Sequence, residues 1–194
     1  MGKERYQKDI MELFKKSPIV TSKSIERLIK SKKHVKQYQK QLVRNLLLKG
    51  KIKRLAKGCY TYFDDASLAV FCFKPAYLGL HDSLSFHNLW EQETIPIIIT
   101  ARKVRSGVRK ILNSNVMVRR VNQKYFFGFE YFSSGDFHLP YSDIEKTFID
   151  MVYFRERLSD EALKEIKKSI GKSKLNSYLK VYPKRIKKRV LNLL

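Results

Sequence analysis

The stretch Lys33–Lys49, KHVKQYQKQLVRNLLLK, leaves little freedom in how its part of the chain can fold. At 3.6 residues per turn, Val35, Tyr38, Leu42 and Leu46 stack on one face of a helix, and Lys33, Gln37, Lys40 and Arg44 stack on the opposite face. The apolar stripe needs a core to dock on, so this helix must belong to a packed unit. The polar stripe carries cations and a bidentate amide, the side chains that bind phosphates and read base edges in a major groove. Its surroundings sharpen the point. Between Arg27 and Phe63 there are 11 basic residues and no Asp or Glu. A helix face that merely keeps a protein in solution would mix signs to form i,i+4 pairs.

The flanking sequence predicts the rest of a small unit. Lys3–Lys16 has helical spacing, with Tyr6, Ile10, Leu13 and Phe14 inward, and Ser17-Pro18 stops it because the residue before proline is pushed out of helical geometry. A second helix starts at Thr21 or Ser22 as N-cap, with Ile25, Leu28 and Ile29 inward. The third ends at Gly50, and KIKRLAKGCYTYF then reads as a hairpin turning at Lys57-Gly58. Three helices and a basic hairpin predict a winged helix-turn-helix over residues 1–65, bounded by Asp64-Asp65. Residues 1–60 hold 18 Lys/Arg against 4 Asp/Glu, +14 of the chain's formal +23. In this reading Gln37, Lys40, Gln41 and Arg44 enter the groove of double-stranded DNA. Lys33, Lys36, Lys53 and the helix start at Ser22-Lys23 hold phosphates, and Arg54 and Lys57 touch the flanking backbone or minor groove.

Residues 66–194 predict a second, α+β domain. Pro75–Trp90 reads as a turn and a short helix with Leu84 and Leu89 inward; Ile95–Ala101, Val116–Val121 and Tyr125–Phe132 have the β-branched and aromatic content of strands. Ser142 and Glu145 form an S-x-x-E capping box ahead of Phe148, Ile149 and Val152, and further helices fill Asp160–Leu194. Charge comes in blocks: residues 101–124 carry 8 basic side chains and no acid, and residues 161–194 carry 11 against 2. Arg102, Lys103, Arg105, Arg109 and Lys110 form a second basic patch, expected to extend a DNA contact or to meet an acidic toxin surface.

Catalytic patterns are weak. Glu130, Asp136, Asp143, Glu145 and Asp150, with Lys146, invite comparison with a metal-dependent nuclease, but the lysine directly follows Glu145 and the spacing fails. His81 and His87 are six apart and lack further ligands for zinc. No phosphate loop or nucleophile elbow is found, so a non-enzyme without metal or cofactor is expected. The N-terminus MGKERYQKDI has no apolar signal region, and no apolar run is long enough to span a bilayer. The expected place is the cytoplasm, without membrane contact. Cys59 and Cys72 have a spacing that permits a disulfide, but reduced, buried thiols are the expectation there.

The chain resembles the AbiEi family of antitoxins, the regulator half of type IV toxin–antitoxin (abortive-infection) modules. The resemblance runs from the N-terminal helices through KGCYTYF, YLGLHDSLSFHNLW, IPIIITARKVR and LPYSDIEKTFIDM, and departs at Asn88, where glycine is usual. It implies a transcriptional regulator that represses its own operon by occupying promoter DNA, as a monomer or a dimer assembled on DNA. It also implies a C-terminal domain needed to counter a nucleotidyltransferase-type toxin. The alternative is a winged-helix protein that coats DNA or RNA with little sequence selectivity, using all its basic blocks.

Overall fold

The computed structural model describes residues 2–29, 35–135 and 137–194. They form two compact units, residues 1–72 with 110–114, and residues 73–109 with 115–194. The first unit passes the expected boundary at residue 65 because Asp64-Asp65 is no linker. Asp64 pairs with Lys53 at 2.8 Å, and Asp65 accepts the Ser67 N–H at 2.8 Å. Behind them, the 3-10 stretch Ala66–Phe73 buries Ala66, Leu68, Ala69 and Val70.

In the first unit the order is α1 (Gly2–Lys16), β1 (Val20–Thr21), α2 (Ser22–Leu28), α3 (Val35–Leu48), β2 (Lys53–Ala56) and β3 (Cys59–Thr61). The three strands make an antiparallel sheet in the order β1-β3-β2. Ile10, Phe14, Ile25, Ile29, Val43, Leu46, Ile52 and Tyr60 bury one another as its core. One of the two expected N-caps holds, and two other expectations shift. Thr21 is the N-cap of α2, its side chain accepting the Ser24 N–H at 3.2 Å, and Leu28 is 42% exposed while Ile25 and Ile29 fill the core. A seven-residue helix has room for one inward ridge, and Leu28 lies to its side. Cys59 and Cys72, expected as thiols, are joined by a disulfide. Strand β3 and the 3-10 stretch bring their Cα atoms to 6.2 Å, within the reach of such a bond.

The second unit is built on a mixed sheet of six strands, of which only residues 110–114, at the end of β6 and the start of β7, group with the first unit. After β4 (Ala76–Leu78) come α4 (His81–Phe86), β5 (Ile97–Thr100), β6 (Gly107–Ile111), β7 (Ser114–Arg120), β8 (Phe129–Ser134) and β9 (Phe137–Ser142). The helices α5 (Ile144–Phe154), α6 (Asp160–Ser169), α7 (Lys172–Leu179) and α8 (Lys184–Leu193) follow. The strand order is β6-β7-β5-β4-β9-β8; β4 pairs antiparallel with β5 and parallel with β9, and β5 pairs parallel with β7. The chain is thus α+β, as its element order predicts. The segment 125–128 is not strand: Gln123–Tyr125 forms a 3-10 turn capped by Asn122, and β8 begins at Phe129. Asn88 has φ 57°, and the Leu89 N–H reaches back to Leu84 O at 2.8 Å to end α4. Asparagine tolerates this left-handed position, so it supplies the stop that a glycine would.

Helix α5 is the centre of the unit and packs against α4, α6, α7 and α8. Glu145 through Val152 are all buried, which no single amphipathic stripe would produce. Its cap is displaced by one residue from the expected box. Asp143 is the N-cap and accepts the Lys146 N–H at 2.7 Å. Ser142 faces inward to Thr147 Oγ1, 2.7 Å away, and Glu145 accepts the Gly171 N–H at 2.7 Å. Strand β9 carries Ser142 into the core, where its hydroxyl cannot reach the N–H groups of the helix start. Among the described residues, no helix is long and apolar enough to cross a membrane.

Candidate nucleic-acid interface

Helix α3 settles which of its side chains face outward. Gln39, Val43 and Leu46 are buried, Tyr38 and Leu42 are half-buried, and Lys36, Gln37, Lys40, Gln41 and Arg44 are all exposed. Anchoring on Val43 rather than on Tyr38 rotates the inner face slightly, yet the polar residues still share one outer surface. Lys33 lies outside the described residues.

Other expected contacts have partners of their own. The Ser22 N–H donates to Gly58 O at 3.0 Å, fastening the start of α2 to the hairpin turn, and Thr21 takes the Ser24 N–H. The Ser22 donor expected for phosphate is thereby spent, as is its neighbour at Ser24, while the Lys23 side chain remains exposed. Lys53 is half-buried and paired with Asp64. Arg54 is exposed, its guanidinium 5.9 Å from the Tyr60 ring centre. Lys57 is exposed in the β2–β3 turn, where Gly58 takes a φ of 74° that favours glycine.

Arg102, Lys103 and Arg105 are exposed in the segment after β5. Arg109 differs: it is half-buried, stacks 5.0 Å from the Phe73 ring centre and donates from Nη2 to Arg105 O at 2.8 Å. It shapes its own loop. Lys110 is exposed and groups with the first unit. Three further side chains, which no sequence motif marks, line a cleft of about 770 Å³ in the first unit: Lys15, Lys51 and Tyr62. They come from α1, the α3–β2 turn and the residues after β3, a juxtaposition with no local periodicity behind it.

Three of the acids that suggested a nuclease, Asp143, Glu145 and Asp150, have structural work. Lys146 and Asp150, both fully buried, form an ion pair within α5, and Tyr77 donates its O–H to Asp150 at 2.7 Å. The Lys146 ammonium also sits 5.4, 5.6 and 6.0 Å from the ring centres of Tyr77, Phe127 and Tyr182. Burial lowers the Lys146 ammonium and raises the Asp150 carboxyl, and their mutual attraction opposes both shifts without cancelling them. Asp143 takes the Tyr178 O–H at 2.8 Å and the Lys174 ammonium at 3.1 Å. Burial, then that hydrogen bond, pushes the Tyr178 phenol up to about 12. Glu130 is exposed on β8, and Asp136 lies outside the described residues. His81 and His87 bond through Nε2 to Arg157 O and Ser142 O. Among the described residues no group of three or more His, Cys, Asp or Glu is placed to hold a metal ion.

No protein-family model matches the chain, and no curated protein does. Among solved structures it is similar to the crystal structure of the RV2827C protein from Mycobacterium tuberculosis, with a TM-score of 0.63 at 12% identity. The match covers 98% of this chain and 76% of that one. At this identity the likeness is one of fold: the chain shares the mixed α+β architecture of that protein.

Proposed function

We propose that the protein is a cytoplasmic, DNA-binding transcriptional regulator of antitoxin type. Its first unit acts as a winged helix-turn-helix, with α3 as the helix that enters the major groove and the β2–β3 hairpin as the wing. The observation that carries the reading is the outer face of α3. Lys36, Gln37, Lys40, Gln41 and Arg44 are exposed together, in a stretch with no acid to neutralise them. The order α1-β1-α2-α3-β2-β3 with its three-stranded antiparallel sheet supports this reading, since it sets two consecutive helices, α2 and α3, as a helix-turn-helix whose second helix can enter the groove. Arg44 and Gln37 have the fork geometry that discriminates bases, while Lys36 and Lys57 have the flexible ammonium that neutralises phosphate. Repression of its own operon and neutralisation of a nucleotidyltransferase-type toxin by the second unit follow from the AbiEi resemblance.

The test is a titration of the full chain, Arg44→Ala and Lys57→Ala on DNA from upstream of its own gene and on a random duplex, at several salt concentrations. Arg44→Ala should cost about 1–3 kcal/mol on the upstream DNA and much less on the random duplex. Lys57→Ala should weaken both alike and reduce the salt slope by about one unit. Equal losses for Arg44→Ala on both duplexes would make the protein a non-selective coat. Co-expression with the neighbouring reading frame, scored by growth, tests the antitoxin role.

A further inference from the structure

The cleft lined by Met11, Lys15, Gly50, Lys51, Tyr62 and Phe63 does not use the outer face of α3. A second cleft of about 560 Å³ adjoins it, lined by Arg54, Lys110, Leu112 and Asn113, and the two share Lys53 and Asp64. All of these residues belong to the first unit. Five cations line the two clefts, Lys15, Lys51, Lys53, Arg54 and Lys110. Their one acid, Asp64, is already engaged by Lys53. Clefts of this sign attract an anion, and two that share the Lys53–Asp64 pair give a track better suited to a polymer than to a single small molecule.

Tyr62 narrows the class of polymer. The residue is 43% exposed, and its ring makes a T-shaped contact with Phe63, at 90° with the ring centres 5.5 Å apart. This contact keeps the phenol ring beside the cleft that Tyr62 and Phe63 both line. Gly50 adds no side chain to the cleft, and nothing lies within 4 Å of where its Cβ would stand. An aromatic face beside lysines binds a nucleotide by stacking its base and holding its phosphate. In a duplex the base faces are covered by their neighbours, so a stacking ring selects an unpaired base.

We propose that this track binds single-stranded nucleic acid, with Tyr62 stacking on a base and Lys15 and Lys51 on the adjoining phosphates. The site is separate from the duplex-binding face of α3 and does not depend on that reading. A strand displaced from a melted duplex, or a transcript, would supply such a ligand.

The test is fluorescence anisotropy with a labelled oligothymidylate, which cannot pair with itself, and with a labelled duplex. The proteins are the full chain, Tyr62→Ala, Tyr62→Phe, the double variant Lys15→Ala/Lys51→Ala, and Arg44→Ala. Tyr62→Ala should weaken oligothymidylate binding roughly fivefold to a hundredfold, and Tyr62→Phe should restore it. The double variant should reduce the single-strand salt slope by about 1.4, near 0.7 for each phosphate contact. These side chains are exposed, so thermal melting should change by no more than the loss of the Tyr62–Phe63 contact accounts for. Arg44→Ala should spare single-strand binding, so failure of the duplex reading would leave this result intact. The proposal is overturned if the full chain does not bind oligothymidylate, or if Tyr62→Ala binds it as tightly. It is equally overturned if thymidine monophosphate saturates the site with the affinity of the oligomer, which would make the cleft a nucleotide pocket.

Discussion

Replacing Lys146 with Met keeps most of the aliphatic length of that side chain and removes its ammonium. Lys146 and Asp150 are both 0% exposed, so neither charge has water to fall back on. Without the ammonium, the Asp150 carboxyl keeps the Tyr77 hydroxyl at 2.7 Å and no counter-charge. Breaking one side of a buried pair costs about 3–5 kcal/mol, because the remaining charge is uncompensated. In a unit of this size that corresponds to a fall in melting temperature of roughly 10–20 °C. The pH dependence supplies the sharper test. Burial already raises Asp150 above its ordinary carboxylate value, and losing Lys146 removes the attraction that opposed the rise. A raised folded-state value contributes stability below the unfolded value that is lost as pH rises through the folded one. The deficit of Lys146→Met against the parent chain should therefore shrink on acidification and grow toward neutrality. Urea unfolding at mildly acidic and neutral pH reads this directly. Adding Asp150→Asn should cost less than the sum of the single changes, with a coupling of about 0.5–3 kcal/mol. A neutral-pH loss below about 1 kcal/mol, against the range expected for breaking such a pair, would refute the argument. So would a deficit that grows toward acid.

Three further outcomes follow from local geometry. Gly128→Ala places a Cβ at a φ of 71°, 2.8 Å from Lys146 Cβ and 2.9 Å from Tyr178 Cε2; it should destabilise the second unit by about 1–3 kcal/mol in urea unfolding. The Tyr178 phenol, raised to about 12, contributes stability that is present below pH 10 and lost as pH rises toward 12, so Tyr178→Phe should flatten that alkaline limb in pH-dependent melting. Replacing Cys59 and Cys72 with Ser opens a bridge spanning 13 positions and should cost up to about 3 kcal/mol by the loop-entropy account. Since cytoplasmic chains rarely keep such bonds, thiol trapping in rapidly acidified cells also tests the proposed location.

Where one element carries a single period, its structure was legible in advance. The first helix with Ile10 and Phe14, the outward set from Lys36 to Arg44, the Lys57-Gly58 turn and the α+β order all follow from local spacing and turn chemistry. A stripe repeating every 3.6 residues has one way to satisfy itself, by turning its apolar side to a core. Strands β4, β6 and β9 left no such mark, since each is short and set in its sheet by neighbours distant in the sequence. The same holds for the inward turn of Lys146 and Asp150. As residues they look like an ordinary surface i,i+4 pair, and only the packing of α4, α6, α7 and α8 around α5 buries them. Tertiary structure also decided which cations are already paired: Lys53 meets Asp64 across the β2–β3 hairpin, and Arg109 is drawn onto Phe73. It likewise brought Lys15, Lys51 and Tyr62 to one cleft from three separate elements. Local spacing determines which side of an element seeks a core; which distant side chains share that core or surface is set only when the whole chain has packed.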